Sequence, residues 1–274
     1  MTVTNAVKTT MIWGTVSGAS MVGMVISLLL SVVLPIFLGI FIYKKTKAWV
    51  PAFFIGCGIF VGFAMILEQI CHAIVLTVTG SAIRDNIWLY AIYGGLAAAL
   101  FEECGRWIAM TFCLKKHLTR ENALMYGAGH GGIQAFLILG MSSMSNLLTA
   151  AMINGGLMEK TMTALEPAQQ EVTYHQLSVL WTTPAYQFYL APVERISAIA
   201  LQIALSILVY SAVKTGRKLQ LAAAFGLHFA VDFLTVICAS MIPTWALELG
   251  LLVVVAVICA AVYKLVYVHS AEKK

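Results

Sequence analysis

Seven long apolar segments, separated by short polar connections, dominate the hydrophobicity pattern of the chain. They cover approximately residues 15–43, 50–79, 87–114, 122–142, 187–213, 219–241 and 243–268. Because about 20 apolar residues suffice to cross the hydrocarbon of a bilayer as a helix, each segment predicts a transmembrane helix. We therefore expect an all-α polytopic membrane protein, a bundle of seven or eight helices around a polar cavity, forming a single membrane domain over residues 1–274.

Two regions between the fourth and fifth segments are less regular. Residues 144–158 are apolar but short, and they predict an eighth, partial or re-entrant helix. Residues 159–186 contain two prolines and three glutamates, and they predict an extramembrane loop.

The basic residues alternate between the two ends of the predicted helices. Twelve of the 17 lysines and arginines follow odd-numbered segments: Lys44, Lys45, Lys47, Lys115, Lys116, Arg120, Lys214, Arg217, Lys218, Lys264, Lys273 and Lys274. Lys8, Arg84 and Lys160 lie on the opposite side. The positive-inside rule then predicts an outside N-terminus and a cytoplasmic C-terminus.

The overall composition agrees with a membrane protein and excludes several other classes. The chain is 61% hydrophobic and 11% charged, with a mean hydropathy of +0.89, whereas soluble domains carry about 25% charged residues. The net charge of +5 comes from helix ends, so we expect no nucleic-acid partner. The six cysteines lie in apolar segments without a CxxC pair, which argues against a disulfide framework or a zinc ribbon.

Charged and histidine side chains occur at one depth in three of the apolar segments. Glu103 lies twelve residues before Lys115, while His130 and His228 each lie ten residues after a basic residue. At about 1.5 Å per residue, all three lie roughly 15–18 Å from the basic ends of their helices. Ionisable groups at that depth are costly unless they are paired or functional. We therefore expect a common, water-filled polar site near the midplane that opens toward the cytoplasmic half.

Local spacings support this site. In "LFEECGRWIAM", Glu102 and Arg106 are four residues apart and can pair on one helical face. In "GLHFAVDF", His228 and Asp232 have the same spacing, so the carboxylate can orient the imidazole. Glycines surround His130 in "YGAGHGGIQA", which permits either close helix approach or close approach of a substrate.

Two further polar pairs have competing interpretations. Glu68 and His72 could line the cavity or only satisfy each other, and Glu194 and Arg195 could form an interfacial ion pair or gate access of the substrate.

The segments "EECGR", "YGAGH" and "HFAVD" together resemble the motifs of a family of intramembrane proteases. These motifs are a glutamate pair closely followed by arginine, an aromatic residue separated by three residues from a histidine, and a histidine separated by three residues from Asn or Asp. The family includes the type II CAAX prenyl endopeptidases and the bacteriocin-processing and immunity proteins. The "FEE..R" and "GHGG" forms are most similar to its YhfC branch, a bacterial group, and this resemblance implies a bacterial cell membrane.

The resemblance implies about eight helices around a cavity and hydrolysis of a peptide bond beside a membrane-embedded carboxylate. Carried over to this sequence, the catalytic set is Glu102, Glu103, Arg106, His130, His228 and Asp232. Glu102 or Glu103 would activate water with help from His130. The commoner family form has three residues between the glutamate pair and the arginine, whereas this chain has two. Alignment on the pair and alignment on the arginine therefore give different answers for the base, and we favour Glu102 because it shares the position of the family's first glutamate. Gln134 stands where such relatives often carry glutamate, and as an amide it cannot act as a base.

Two mechanisms remain open from the sequence. A glutamate can deprotonate water directly, or a metal such as Zn²⁺, held by ligands chosen from Glu102, His130, His228 and Asp232, can supply hydroxide. The chain lacks HExxH, so the ligand types alone do not decide. The expected partners are the bilayer and a peptide or membrane-protein substrate, which can be lipidated. The alternatives are a proton-coupled transporter and a non-catalytic receptor or immunity protein.

Overall fold

The computed structural model describes residues 11–269, and these form a bundle of helices. In chain order the helices are α1 (Gly18–Thr46), α2 (Pro51–Thr79), α3 (Ile87–Cys113), α4 (Arg120–Asn154), α5 (Leu157–Met162), α6 (Pro167–Thr182), α7 (Ala185–Thr215), α8 (Lys218–Ala239) and α9 (Thr244–Tyr267). Within the described residues, seven of them are long and apolar enough to cross a membrane, which confirms the predicted helices. Lys8, Lys273, Lys274 and both ends of the expected domain lie outside the described residues.

The region after the fourth apolar segment differs from the expectation. Residues 144–158 do not form a separate helix, because α4 continues without a break to Asn154 and is 35 residues long. A wider, π-helical turn at Phe136–Gly140 lies within it. The predicted loop at 159–186 is largely helical, since Pro167 opens α6 at a position where proline is favoured and Pro184 precedes α7.

The segment around α6 is tied to the start of the described chain by aromatic and polar contacts. The Tyr174 hydroxyl donates to the Ile12 carbonyl at 2.6 Å, and the Trp13 ring meets those of Tyr174 and Trp181 at 5.6 and 5.8 Å. These contacts explain why a segment with polar residues and prolines is nevertheless ordered against the bundle.

Helix α7 lies at the centre of the bundle and is the most buried of the spanning helices. Its neighbours α4 and α9 pack against it, and their apolar side chains form one large core with those of α2. Helices α3 and α8 pack against each other, where Gly95 faces the backbone of Phe229. This arrangement brings the polar segments of α3, α4, α7 and α8 together inside the bundle.

The glycines around His130 allow α4 to approach its neighbours closely. A Cβ on Gly129 would overlap the Phe53 carbonyl of α2, and a Cβ on Gly127 would lie 2.7 Å from Ile203 Cα of α7. Of the two interpretations of these glycines, the structure therefore favours close helix packing. His130 is fixed between α2 and α7 as a result.

The two ends of the bundle differ in charge. The face where α3 ends and α8 begins carries Lys115 and Lys218, and we call it the basic face. The opposite face carries the connection between α2 and α3, residues 80–86, and we call it the turn face.

Candidate polar site inside the bundle

A buried arginine on α3 joins the two glutamates of the same helix. Arg106 Nη1 donates to Glu103 Oε1 at 2.5 Å, and Nη2 lies 3.7 Å from Glu102 Oε2. The spacings of three and four residues place both carboxylates within reach of one guanidinium, as expected on a helix. Arg106 is fully buried, and Glu102 and Glu103 are 4% and 2% exposed. The ion pairs therefore lie out of contact with solvent.

Each glutamate has its own histidine partner on another helix. Glu102 Oε2 lies 2.9 Å from His130 Nε2 of α4, and Glu103 Oε1 lies 2.8 Å from His228 Nδ1 of α8. The other ring nitrogen of His228 faces Asp232 Oδ2 at 3.5 Å. The site is thus two carboxylate–imidazole pairs linked by one guanidinium.

The ring of His130 is held by aromatic neighbours. Its Nδ1 lies 3.5 Å from the Tyr126 hydroxyl one turn earlier on α4, and the Phe60 ring of α2 packs edge-on at 5.2 Å. A ring fixed on both sides keeps Nε2 directed at Glu102. This role accounts for the aromatic residue of the "YGAGH" motif.

Gln202 of α7 is a member of the site that the sequence analysis missed. Its Nε2 donates to Glu102 Oε2 at 2.9 Å, and its Oε1 accepts a short hydrogen bond from Arg106 Nη2. Gln202 lies twelve residues before Lys214, the same distance from a basic end as Glu103. The depth criterion that selected Glu103 and the histidines would therefore have found it, had amides been included.

The remaining predicted cavity residues lie outside this cluster. Glu68 Oε1 contacts His72 Nε2 at 3.3 Å, and His72 Nδ1 lies 2.7 Å from the Tyr93 hydroxyl. Arg195 donates to Glu194 in a short contact, so these two form an ion pair.

Gln134 lies one turn beyond His130 and does not join the site's hydrogen bonds. Its Oε1 is buried, and among the described residues it has no hydrogen-bond partner.

Residues 30–259 match the family described as YhfC intramembrane metalloprotease. The chain belongs to this family. It is also similar to a Bacillus subtilis (strain 168) protein described as "Uncharacterized membrane protein YhfC", with 41% identity over 222 residues, covering 78% of this chain and 83% of the relative. No solved structure matches the chain. The resemblance seen in the three motifs is confirmed, and the chain is an integral membrane protein.

The YhfC family is described as an intramembrane metalloprotease, so the side chains of the site can be tested as ligands of a metal ion. Within residues 11–269, no group of three His, Cys, Asp or Glu side chains is placed to hold a metal ion. The donors form two pairs separated by the Arg106 guanidinium, and both ring nitrogens of His228 already face carboxylates. Three protein ligands around one zinc ion are therefore not assembled here, and this arrangement does not fit the predicted metal set.

A groove of about 570 Å³ leads from the membrane side of the bundle to Glu103. It runs between α3 and α8, with Trp107 and Phe225 among its lining residues and Lys218 toward the basic face. The lining is otherwise mainly apolar. Glu103 Oε2 is buried and has no hydrogen-bond partner among the described residues.

Replacing Gln202 by leucine tests its place in the site. Gln202→Leu removes the bridge and leaves a buried carboxylate and guanidinium each short of one partner. We expect the free energy of unfolding in bicelles to fall by about 1–3 kcal/mol, the usual cost of such unsatisfied groups. The matched control is Gln134→Leu, which removes an amide oxygen without a partner and should be neutral or stabilising. Equal losses from both substitutions would contradict the assignment.

Proposed function

We propose that the chain is an intramembrane endopeptidase that hydrolyses a peptide bond of a membrane-associated substrate. The observation that carries this proposal is the buried Glu102–His130 pair beside a second glutamate already bound by Arg106. Membership of a family described as proteases supports the reaction class. A carboxylate held by an imidazole inside a bundle can serve as a general base for water.

The contacts of Arg106 favour Glu102 as the base. The guanidinium is nearer to Glu103, at 2.5 Å, than to Glu102, at 3.7 Å. Glu103 is therefore the carboxylate whose charge is most directly balanced. Glu102 keeps hydrogen bonds from neutral or weakly charged neighbours, which leaves it more able to accept a proton from water.

The proposed step uses only the side chains of this site. Water attacks the peptide carbonyl carbon while Glu102 takes its proton, and His130 holds the carboxylate in place. The carbonyl oxygen gains negative charge, and His228, held through Nδ1 by Glu103, can stabilise it by donating its Nε2–H in place of the 3.5 Å contact to Asp232. The proton then passes from Glu102 to the amide nitrogen as the C–N bond breaks, giving a carboxylic acid and an amine.

The apolar groove beside Glu103 supports a substrate that approaches from the bilayer. A peptide segment with apolar side chains, with or without an attached lipid, suits such a lining. In the orientation given by the positive-inside rule, the groove lies in the cytoplasmic half of a bacterial cell membrane.

A metal-activated hydroxide is the other route to the same reaction. Zn²⁺ would need His130 and His228 to turn toward one point and at least one carboxylate to leave its present partner. A proton-coupled transporter or a non-catalytic receptor would, in contrast, leave peptides uncut.

The roles of the two glutamates can be separated by isosteric substitution. In proteoliposomes presented with a library of lipid-anchored apolar peptides, Glu102→Gln should abolish cleavage, a loss of at least about 100-fold, the minimum expected for a general base. Glu103→Gln should retain part of the rate because Glu102 is still present. Mass spectrometry of the products and thermal unfolding of each variant are the measurements. Full activity of folded Glu102→Gln would rule out the proposed base.

Metal content distinguishes the two mechanisms. With a glutamate base and no assembled ligand set, purified active protein should contain far less than one transition-metal ion per chain by mass spectrometry. Cleavage should survive a strong chelator such as 1,10-phenanthroline, and an inactive isomer of that compound serves as the control. Loss of cleavage with recovery on adding Zn²⁺ would instead establish the metal mechanism.

A further inference from the structure

One side chain of the polar site is partly exposed, whereas the others are buried. The Asp232 side chain is 37% exposed, whereas that of its partner His228 is 2% exposed. Asp232 lies fourteen residues after Lys218 and seven before Ala239. It is therefore about 20 Å from the basic end of α8 and about 10 Å from the other end, well within the hydrocarbon depth of the helix.

An exposed carboxylate at this depth must face water rather than lipid. Asp or Glu in contact with hydrocarbon costs several kcal/mol, so such groups normally face the bundle interior or an aqueous cavity. The apolar Leu234, two residues further along α8, is 52% exposed. Two residues correspond to about 200° on a helix, so Asp232 and Leu234 face opposite sides. Leu234 marks the lipid side of α8, and Asp232 faces away from it, toward the other helices of the bundle.

Three other helices carry ionisable side chains at a similar level: Glu68 on α2, Arg195 on α7 and Glu248 on α9. All of these residues lie in the half of the bundle nearer the turn face.

The polar atoms of this half are not all satisfied by protein. Glu248 Oε2 is buried and has no hydrogen-bond partner among the described residues, and a buried polar atom of this kind is normally bound by water. In the same half, His72 hydrogen-bonds the Tyr93 hydroxyl through Nδ1, and its Nε2 lies 3.3 Å from Glu68 Oε1. Polar groups therefore extend from near the turn face to the edge of the site.

We infer that an aqueous vestibule opens on the turn face and supplies water to the polar site past Asp232. We define the vestibule by Glu68, His72, Arg195, Asp232 and Glu248. It lies on the opposite half from the apolar groove beside Glu103, so water and a bilayer-borne substrate reach the site from different sides. The exposure of the Asp232 side chain and the polar residues in this half support the vestibule itself. Only the use of its water for hydrolysis rests on the proposed function.

The location of the vestibule also changes one expectation from the sequence. Residue depth alone suggested that the wet cavity opens toward the cytoplasmic half. The structure places an apolar groove there, and the polar lining lies toward the turn face. In the proposed orientation the vestibule therefore faces the outside of the cell.

Cysteine accessibility tests the vestibule directly. In a background with all six native cysteines replaced by alanine, single cysteines are introduced as Asp232→Cys and His72→Cys. The protein is reconstituted into vesicles and treated on one side with a membrane-impermeant methanethiosulfonate, which reacts with thiolates in water. Ser81→Cys on the turn face and Lys116→Cys on the basic face report which side the reagent has reached. Leu234→Cys, on the lipid side of α8 at nearly the same depth, is the matched control.

We expect Asp232→Cys and His72→Cys to be labelled from the same side as Ser81→Cys, at least tenfold faster than Leu234→Cys. Thermal unfolding shows which variants are folded, and if Asp232→Cys is not, the result for His72→Cys decides. No labelling of the folded variants, labelling that is as fast from the Lys116→Cys side, or equal labelling of Leu234→Cys would overturn the inference. Because labelling requires no peptide cleavage, the result stands independently of whether the protein proves to be a peptidase.

Discussion

The polar interior of this protein depends on one guanidinium placed between two carboxylates where solvent does not reach. Arg106 contacts Glu103 directly and is linked to Glu102 through Gln202. Removing one partner of a buried ion pair costs about 3–5 kcal/mol, because the other charge is left without compensation. The arginine reduces the cost of keeping the two glutamates ionised at this depth. The pairing of Glu102 with His130 and of Glu103 with His228 follows once both carboxylates are fixed.

The bundle is built to bring these groups together. Helix α3 carries all three charges, and α4, α7 and α8 each contribute one polar partner: His130, Gln202 and His228. Small residues on either side of His130 let α4 approach α2 and α7 closely. An apolar groove reaches Glu103 from the half nearer the basic face, and the inferred vestibule lies in the half nearer the turn face. The proposed hydrolysis of a membrane-borne chain requires both an apolar surface and water, which these two features would supply from opposite halves.

Much of this was predictable because the bilayer constrains the sequence strongly. Hydrophobicity predicted the seven helices, and depth relative to basic residues predicted that Glu103, His130 and His228 share a level. Gln202 was missed because the criterion considered ionisable groups only. Residues 144–158 were wrongly separated from α4, since their lower hydrophobicity gave no sign that the helix continues through a π-helical turn. The pairing of each glutamate with one histidine was also not predictable. Contacts between side chains of different helices depend on how the helices pack, and residue spacing along a single helix gives no information about that packing.

The direct test of this account is a double-mutant cycle between Arg106 and Glu103, measured as the free energy of unfolding in bicelles. Arg106→Met alone should destabilise the protein strongly, and adding Glu103→Gln should recover part of the loss because the uncompensated charge is removed. We expect a coupling of about 1–3 kcal/mol, as found for residues in one ion-pair network. Losses that add within about 0.5 kcal/mol, the usual limit for independent sites, would show that the guanidinium does not hold the glutamates.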